Sequence, residues 1–295
     1  MALHRFAFRA MAAEHEILLD APSEDAAARA AQAAIADVAR IEAKYSRYRD
    51  DSVTTAINRA AGAAPVPIDP ETAALLHYAD QCHAQSDGAF DITSGVLRRA
   101  WDFRRVPPRV PEAAEIDALR PLIGWDRVEW NDDFIRLPQA GMQIDFGGIG
   151  KEYAADRAAT ALAQHGVQHA LVNLGGDVRA VGTQPGGASW RIGIVHPRNP
   201  EAAIGGFRIA GAAVATSGDY ERYFEIDGRR YSHIIDARTG WPVDHWQSAS
   251  VVAPVCTVAG TLATLAMLRP DADAFLRASG LEFLLVDKKG RLVAA

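Results

Sequence analysis

The sequence predicts an α+β protein built on largely antiparallel sheets with packed helices. Helical and strand-like segments are mixed with no regular βαβ rhythm, which argues against a doubly wound parallel sheet. From residue 126 onward the apolar period shortens toward two. Two tight-turn signals, Asn131-Asp132-Asp133 and Asp227-Gly228, fall between strand-like runs, as hairpins require. The 295 residues are 49% hydrophobic, enough to bury a sizeable core. No repeat, low-complexity tract or linker interrupts them, so one domain over 1–295 is expected.

Residues 5–20 alternate and carry Phe, Ile and Leu, suiting one or two strands. Ser23 is a good N-cap for a helix to about Tyr45, with Glu24 and Asp25 where the helix dipole favours acid. Ser52 opens a short helix ending at Gly62, and residues 71–86 form the next. Pro107, Pro108 and Pro111 mark a loop. Residues 149–165 are helical, stopped by Gly166. Strands are expected at 169–174, 189–195, 207–215, 221–227, 229–235 and 249–253. Helices at 257–268 and up to Ser279 precede a terminal hairpin around Lys288-Lys289-Gly290.

A net charge of −6 argues against a general nucleic-acid binder or a basic membrane-surface protein. Cys82 and Cys256 stand apart in no CxxC pattern, which excludes a disulfide framework and a cysteine zinc site. No signal-peptide core, lipobox or bilayer-length apolar run is visible, so a cytoplasmic protein without membrane insertion is expected.

Four segments concentrate Gly, Asp, Ser, Thr and His between apolar runs: DGAFDITSGVL at 87–97, IDFGGIGKEYAAD at 144–156, NLGGDVRAVG at 173–182, and 216–242. Glycines let backbone approach a ligand, and nearby carboxylates hold metals or hydroxyls. The generic nucleotide templates fail. Lys151 follows Gly150, but Asp145 stands where a Walker A loop needs its first glycine, and GxGxxG is absent. Phe90, Trp101 and Phe103 read either as core aromatics or as stacking partners for a flat ring.

In order, the blocks RFAFRAM, SRYRDDSVTTAINRAAG, DGAFDITSGVLRRAWDF, IDFGGIGKEYAAD, NLGGDVRAVG, VATSGDYERYF and SHIIDARTGWPV resemble the ApbE-type flavin transferases, which are FAD:protein FMN transferases. The resemblance implies a T-fold-like α+β architecture. It also implies a magnesium-dependent reaction in which FMN passes from FAD to a Thr or Ser hydroxyl of an acceptor flavoprotein and AMP leaves. Position by position it implies that Met11, Ala89, Phe90, Asp91, Asp145, Lys151, His233 and Ile234 bind the flavin nucleotide. Lys151 would face the phosphates and His233 would move the proton, both as catalytic groups. Gly148, through its carbonyl, and Thr264, through its hydroxyl, would hold Mg²⁺.

The chain departs from the pattern near that metal site. The family carries an Asp four residues before the threonine; here Gly260 stands there. Positions 245–270 hold no Asp or Glu. Water in the vacant position, a remote acid such as Asp244, or loss of metal binding and transfer with FAD binding retained all remain open. Hydrolysis of FAD to FMN and AMP is a further alternative. Glu152 replaces a usual glycine and adds charge near the phosphates, and Met11 is followed by Ala12-Ala13 rather than Gly-Thr. Thr257, Thr261 and Thr264 share one helical face.

Overall fold

The computed structural model describes residues 3–295. Its centre is an eight-stranded antiparallel sheet. In chain order the strands are β1 (Leu3–Ala10), β2 (Ala13–Asp20), β3 (Ala170–Leu174), β4 (Asp177–Val181), β5 (Ala213–Gly218), β6 (Trp246–Ala253), β7 (Phe283–Asp287) and β8 (Leu292–Ala294). Spatial order equals chain order, so the helices leave the sheet and return between neighbours.

The helices are α1 (Glu24–Tyr45), α2 (Val53–Arg59), α3 (Pro70–Gln85), α4 (Ala113–Leu119), α5 (Gly150–Gln164), α6 (Cys256–Met267) and α7 (Ala272–Ser279). Ser23, Ser52 and Asp69 cap α1, α2 and α3 by accepting from the amides of Ala26, Thr55 and Thr72. Alanine governs how closely the helices sit. α1 buries Ala27, Ala30, Ala31 and Ala34, and α5 buries Ala154, Ala155, Ala158, Ala159 and Ala161. Small side chains let α5 wedge between α1 and α6 on one sheet face. The opposite face is covered by a hairpin of strands Trp190–His196 and Asn199–Ile209, with Trp190, Ile194 and Ile209 packed on Val178, Ala180 and Val214.

A third cluster settles the aromatic question. Trp101 is 1% exposed and sits among Phe103, Phe224, Tyr231 and Trp241, its indole N–H donating to Gly240 O at 2.8 Å. Trp101 is therefore core, and the part-buried Phe103 packs against it.

Two element expectations are corrected, at 207–215 and at the end of α2, and two elements that the sequence leaves unassigned, β4 and α4, are added. Residues 207–215 are not one strand: the segment turns at Gly211, whose φ of +60° ends one strand and precedes β5. NLGGDVRAVG forms β3, a Gly175-Gly176 turn and β4, because both turn glycines take positive φ and the flanks alternate. The proline-marked loop runs into α4, closed by a capping box between Glu112 and Glu115. α2 stops at Arg59, three residues before Gly62. Among the described residues no helix is long and apolar enough to cross a membrane.

Candidate functional site

The site forms where the N-terminal turn of α5 meets α6 and the ends of β4 and β5. α5 presents one charged side chain on its otherwise small, apolar buried face: Glu152. It is 8% exposed and its Oε2 has no hydrogen-bond partner. Burial first, then the Asp177 carboxylate, push its pKa up to about 8. Lys151 turns the other way, with Nζ 2.8 Å from Asp177 Oδ2. Burial works against that ammonium, but Asp177 and Glu152 outweigh it and hold its pKa above the ordinary lysine value. Lys151 Nζ also donates to Gly175 O at 3.4 Å, which ties α5 to the β3–β4 turn.

α6 lays its threonines along this seam. Thr264 Oγ1 and Ser217 Oγ of β5 are 2.8 Å apart. Thr261 is buried with an unpartnered hydroxyl. Thr257 Oγ1 donates to Asp156 Oδ2 at 2.7 Å. Between them Gly260 has no room for a side chain. A β-carbon there would lie 2.4 Å from Glu152 Cγ, 2.8 Å from its Oε1 and 3.0 Å from its Cδ. The Glu152 side chain thus fills the volume that a residue at 260 would claim. Asp244 does not approach; it pairs with Lys288 at 2.8 Å on the surface.

The remaining expected residues fall into groups. Phe90 packs on Gly148, where a β-carbon would lie 2.9 Å from the ring, so only glycine allows the contact. Ala89 O accepts from Ala237 N at 3.0 Å, drawing the 87–97 loop to the 233–237 segment. Ile234 is buried beside it in the main core. His233 Nδ1 lies 3.3 Å from Arg222 O and so carries the hydrogen, which leaves Nε2 as the basic nitrogen. Burial, then the Arg222 charge, lower its pKa to about 4. Met11 and Ala12 form the β1–β2 turn with φ of +49° and +62°. That turn lies near Lys151 through Gly175, where a β-carbon would lie 3.7 Å from Ala13 Cβ and 3.9 Å from Lys151 Nζ. Glu42 Oε1 accepts from Met11 N at 2.7 Å and pins the turn. A left-handed alanine costs about 1–2 kcal/mol, strain of the kind found at functional turns.

Two carboxylates are less free than the sequence suggests. Asp91 accepts from Thr93 N, Thr93 Oγ1 and Trp125 N at 2.6–3.0 Å, so its oxygens tie its own loop to the turn at Trp125. Asp145 is held by Arg47 Nη1 at 3.0 Å and Arg98 Nε at 3.1 Å, while its Oδ1 accepts from Gly147 N. Sequence reasoning misses both arginines, which lie inside the motif blocks but carry no spacing signal. It places the Glu152 charge near the phosphates without finding its burial against Gly260. The clue to its true place is periodicity: Glu152 shares the α5 face of Ala155 and Ala159, at i+3 and i+7.

The donor set suits a hard cation. Mg²⁺ takes oxygen ligands, keeps several waters and needs only one or two carboxylates. The seam offers oxygen donors, among them the buried Glu152 Oε2, which has no hydrogen-bond partner. Among the described residues no group of three His, Cys, Asp or Glu side chains gathers in a way that could hold a metal ion. A cavity of about 920 Å³ lies apart from the seam, and of the expected residues it touches only Asp91. Five carboxylates against two arginines make its wall unsuited to a pyrophosphate.

The sequence model of the ApbE family matches residues 11–285. The FAD:protein FMN transferase of Salmonella typhimurium is 33% identical over 255 residues, covering 83% of this chain and 73% of that one. The crystal structure of the ApbE protein from Thermotoga maritima superposes with a TM-score of 0.92 at 31% identity, covering 100% of this chain and 97% of that one. The apo Pseudomonas stutzeri flavinyl transferase ApbE gives 0.86 at 30% identity, covering 100% and 94%.

Proposed function

We propose that this chain, which belongs to the ApbE family, is a Mg²⁺-dependent FAD:protein FMN transferase that moves FMN onto a Thr or Ser hydroxyl of an acceptor protein and releases AMP. The observation that carries the reading is Lys151, held by Asp177 at the first turn of a 15-residue helix. A helix N-terminus with a fixed ammonium receives phosphate oxygens.

The chemistry is a displacement at phosphorus. The acceptor oxygen bonds to the FMN phosphorus of the pyrophosphate, the bond to the AMP oxygen breaks, and the hydroxyl proton is lost. Such transfer asks the protein for alignment and charge neutralisation more than for covalent help. His233 Nε2, neutral near pH 7, takes the proton. Lys151 stabilises charge on the phosphates, and Phe90 packed on Gly148 shapes the wall beside them. Gly148, Thr264 and the carboxylate of the α5–α6 seam would hold the metal, which supplies charge neutralisation on the pyrophosphate when bound.

The test incubates the protein with FAD, Mg²⁺ and a Thr-containing acceptor. Covalent flavin fluorescence on the acceptor with equimolar AMP is expected. Tight FAD binding with neither product under any divalent metal would leave a flavin-binding protein, the reading that Gly260 by itself favours. AMP and free FMN with an unlabelled acceptor would make it a pyrophosphatase.

A further inference from the structure

We propose that Glu152, reaching across from α5, is the carboxylate ligand of the divalent-cation site in this chain, in the volume that Gly260 leaves free on α6. The inference rests on the metal-dependent reading above and names which residue makes it workable.

Three observations carry it. Glu152 lies so close to Gly260 that a β-carbon there would be 2.4 Å from its Cγ and 2.8 Å from its Oε1. A side chain at 260 shares its helical face with Thr264, one turn on. The Glu152 carboxylate therefore sits at the place from which an acid at 260 would act with that threonine. Second, Oε2 is buried with no donor to satisfy it. A buried polar oxygen left without a partner is costly, and such a group marks a place that a ligand can complete. Third, Lys151 is not that partner: its Nζ is 2.8 Å from Asp177 and donates to Gly175 O, and it does not bond to Glu152. Of the neighbouring acids, Asp156 is engaged by the first amides of α6, Asp244 by Lys288, and the buried Asp177 by the Lys151 ammonium at 2.8 Å.

The two unusual residues then form one feature. Glycine at 260 makes room for glutamate at 152, and the acid has moved from α6 to α5. A lone Gly260→Asp change would clash with the packed glutamate and set two carboxylates together.

The experiment is Mn²⁺ titration of the FAD-saturated protein by calorimetry, with bound Mn²⁺ also followed by electron paramagnetic resonance. FAD affinity without metal is measured separately by flavin fluorescence. Glu152→Gln keeps size and shape, and its fold is checked by circular dichroism and melting. It should weaken Mn²⁺ binding at least tenfold while metal-free FAD affinity moves less than threefold. The exchange variant Glu152→Gly with Gly260→Asp should regain Mn²⁺ binding, and Gly260→Asp alone should melt earlier than wild type. Wild-type Mn²⁺ affinity in Glu152→Gln overturns the assignment, as does a wild-type protein that binds FAD but no Mn²⁺. If Glu152→Gln binds Mn²⁺ normally and wild type still labels an acceptor, the ligand assignment fails and the transferase reading stands.

Discussion

Glu152 and Asp156 lie one turn apart on α5, and both side chains reach α6, yet they end in opposite states. Asp156 accepts from Cys256 N at 2.7 Å, Thr257 N at 2.8 Å and Thr257 Oγ1 at 2.7 Å, with Arg179 Nε at 3.4 Å. It is the N-terminal cap of α6, supplied from another helix because Val255, at the capping position, has no side-chain acceptor. Glu152 meets a glycine and keeps one oxygen unpaired. Both are acids at a helix–helix seam, so residue type does not separate scaffold from site. What separates them is whether the surrounding chain completes their hydrogen bonds.

The largest test of that distinction is Asp156→Ala. It removes the acceptor for two α6 amides and a threonine hydroxyl, and leaves Arg179 uncompensated. A loss of about 2–4 kcal/mol in urea unfolding is expected, more than an exposed cap because the released donors are part-buried. A loss under about 0.5 kcal/mol would remove the structural half of the comparison.

Glu71 is the intermediate case: satisfied like Asp156 but nearer to solvent. It accepts from Arg40, Lys44 and Tyr153, joining α1, α3 and α5. The Arg40 guanidinium first, then Lys44 and Tyr153 against the opposing effect of burial, bring its pKa down to about 2. A depressed folded-state pKa means stability that is present above the unfolded value near 4.5 and lost as pH falls toward 2. Glu71→Gln should cost about 1–2 kcal/mol at pH 7, after discounting for solvent screening. The gap from wild type should close as pH falls across that window. A pH-independent gap would mean that the network acts through packing and not charge.

The same contrast explains what is legible in the sequence. Ser23, Ser52, Gly166 and Asp227-Gly228 encode caps and turns through local chemistry, and those caps and turns, though not every element's length, appear where they are expected. Lys151, His233 and Asp145 stand out through their motif blocks. The Asp156 cap, the arginines on Asp145 and the Glu152–Gly260 fit join residues 47 to 108 positions apart. No local period reports such pairs. The absence of acids over 245–270 is a property of one stretch of chain, whereas the replacement comes from a neighbouring helix.

Glu152→Gln in the metal-free protein completes the comparison of the two acids. Asp156 stabilises the fold, whereas Glu152 without a partner works against it, so amidation should leave unfolding free energy unchanged or raise it by about 1 kcal/mol. A loss as large as that of Asp156→Ala would show that the glutamate has a hidden structural partner.

His233 carries the contrast to a base, with the smallest effect. Like Glu152 it is held in its neutral form, here by burial and then by the Arg222 charge, with a pKa lowered to about 4. A base with a depressed pKa stays unprotonated down to that value, so it is ready to accept a proton across the neutral range. The kcat/KM profile for FMN transfer reports groups of the free enzyme and should show no histidine break near pH 6.5. Its acid limb should fall through about pH 4. Arg222→Gln removes one cause of the shift and should move that limb upward by a fraction of a pH unit, with kcat/KM near pH 7 changed less than about threefold. An acid limb that stays put in Arg222→Gln, or that vanishes in neither this variant nor His233→Ala, would assign the proton to a group other than His233.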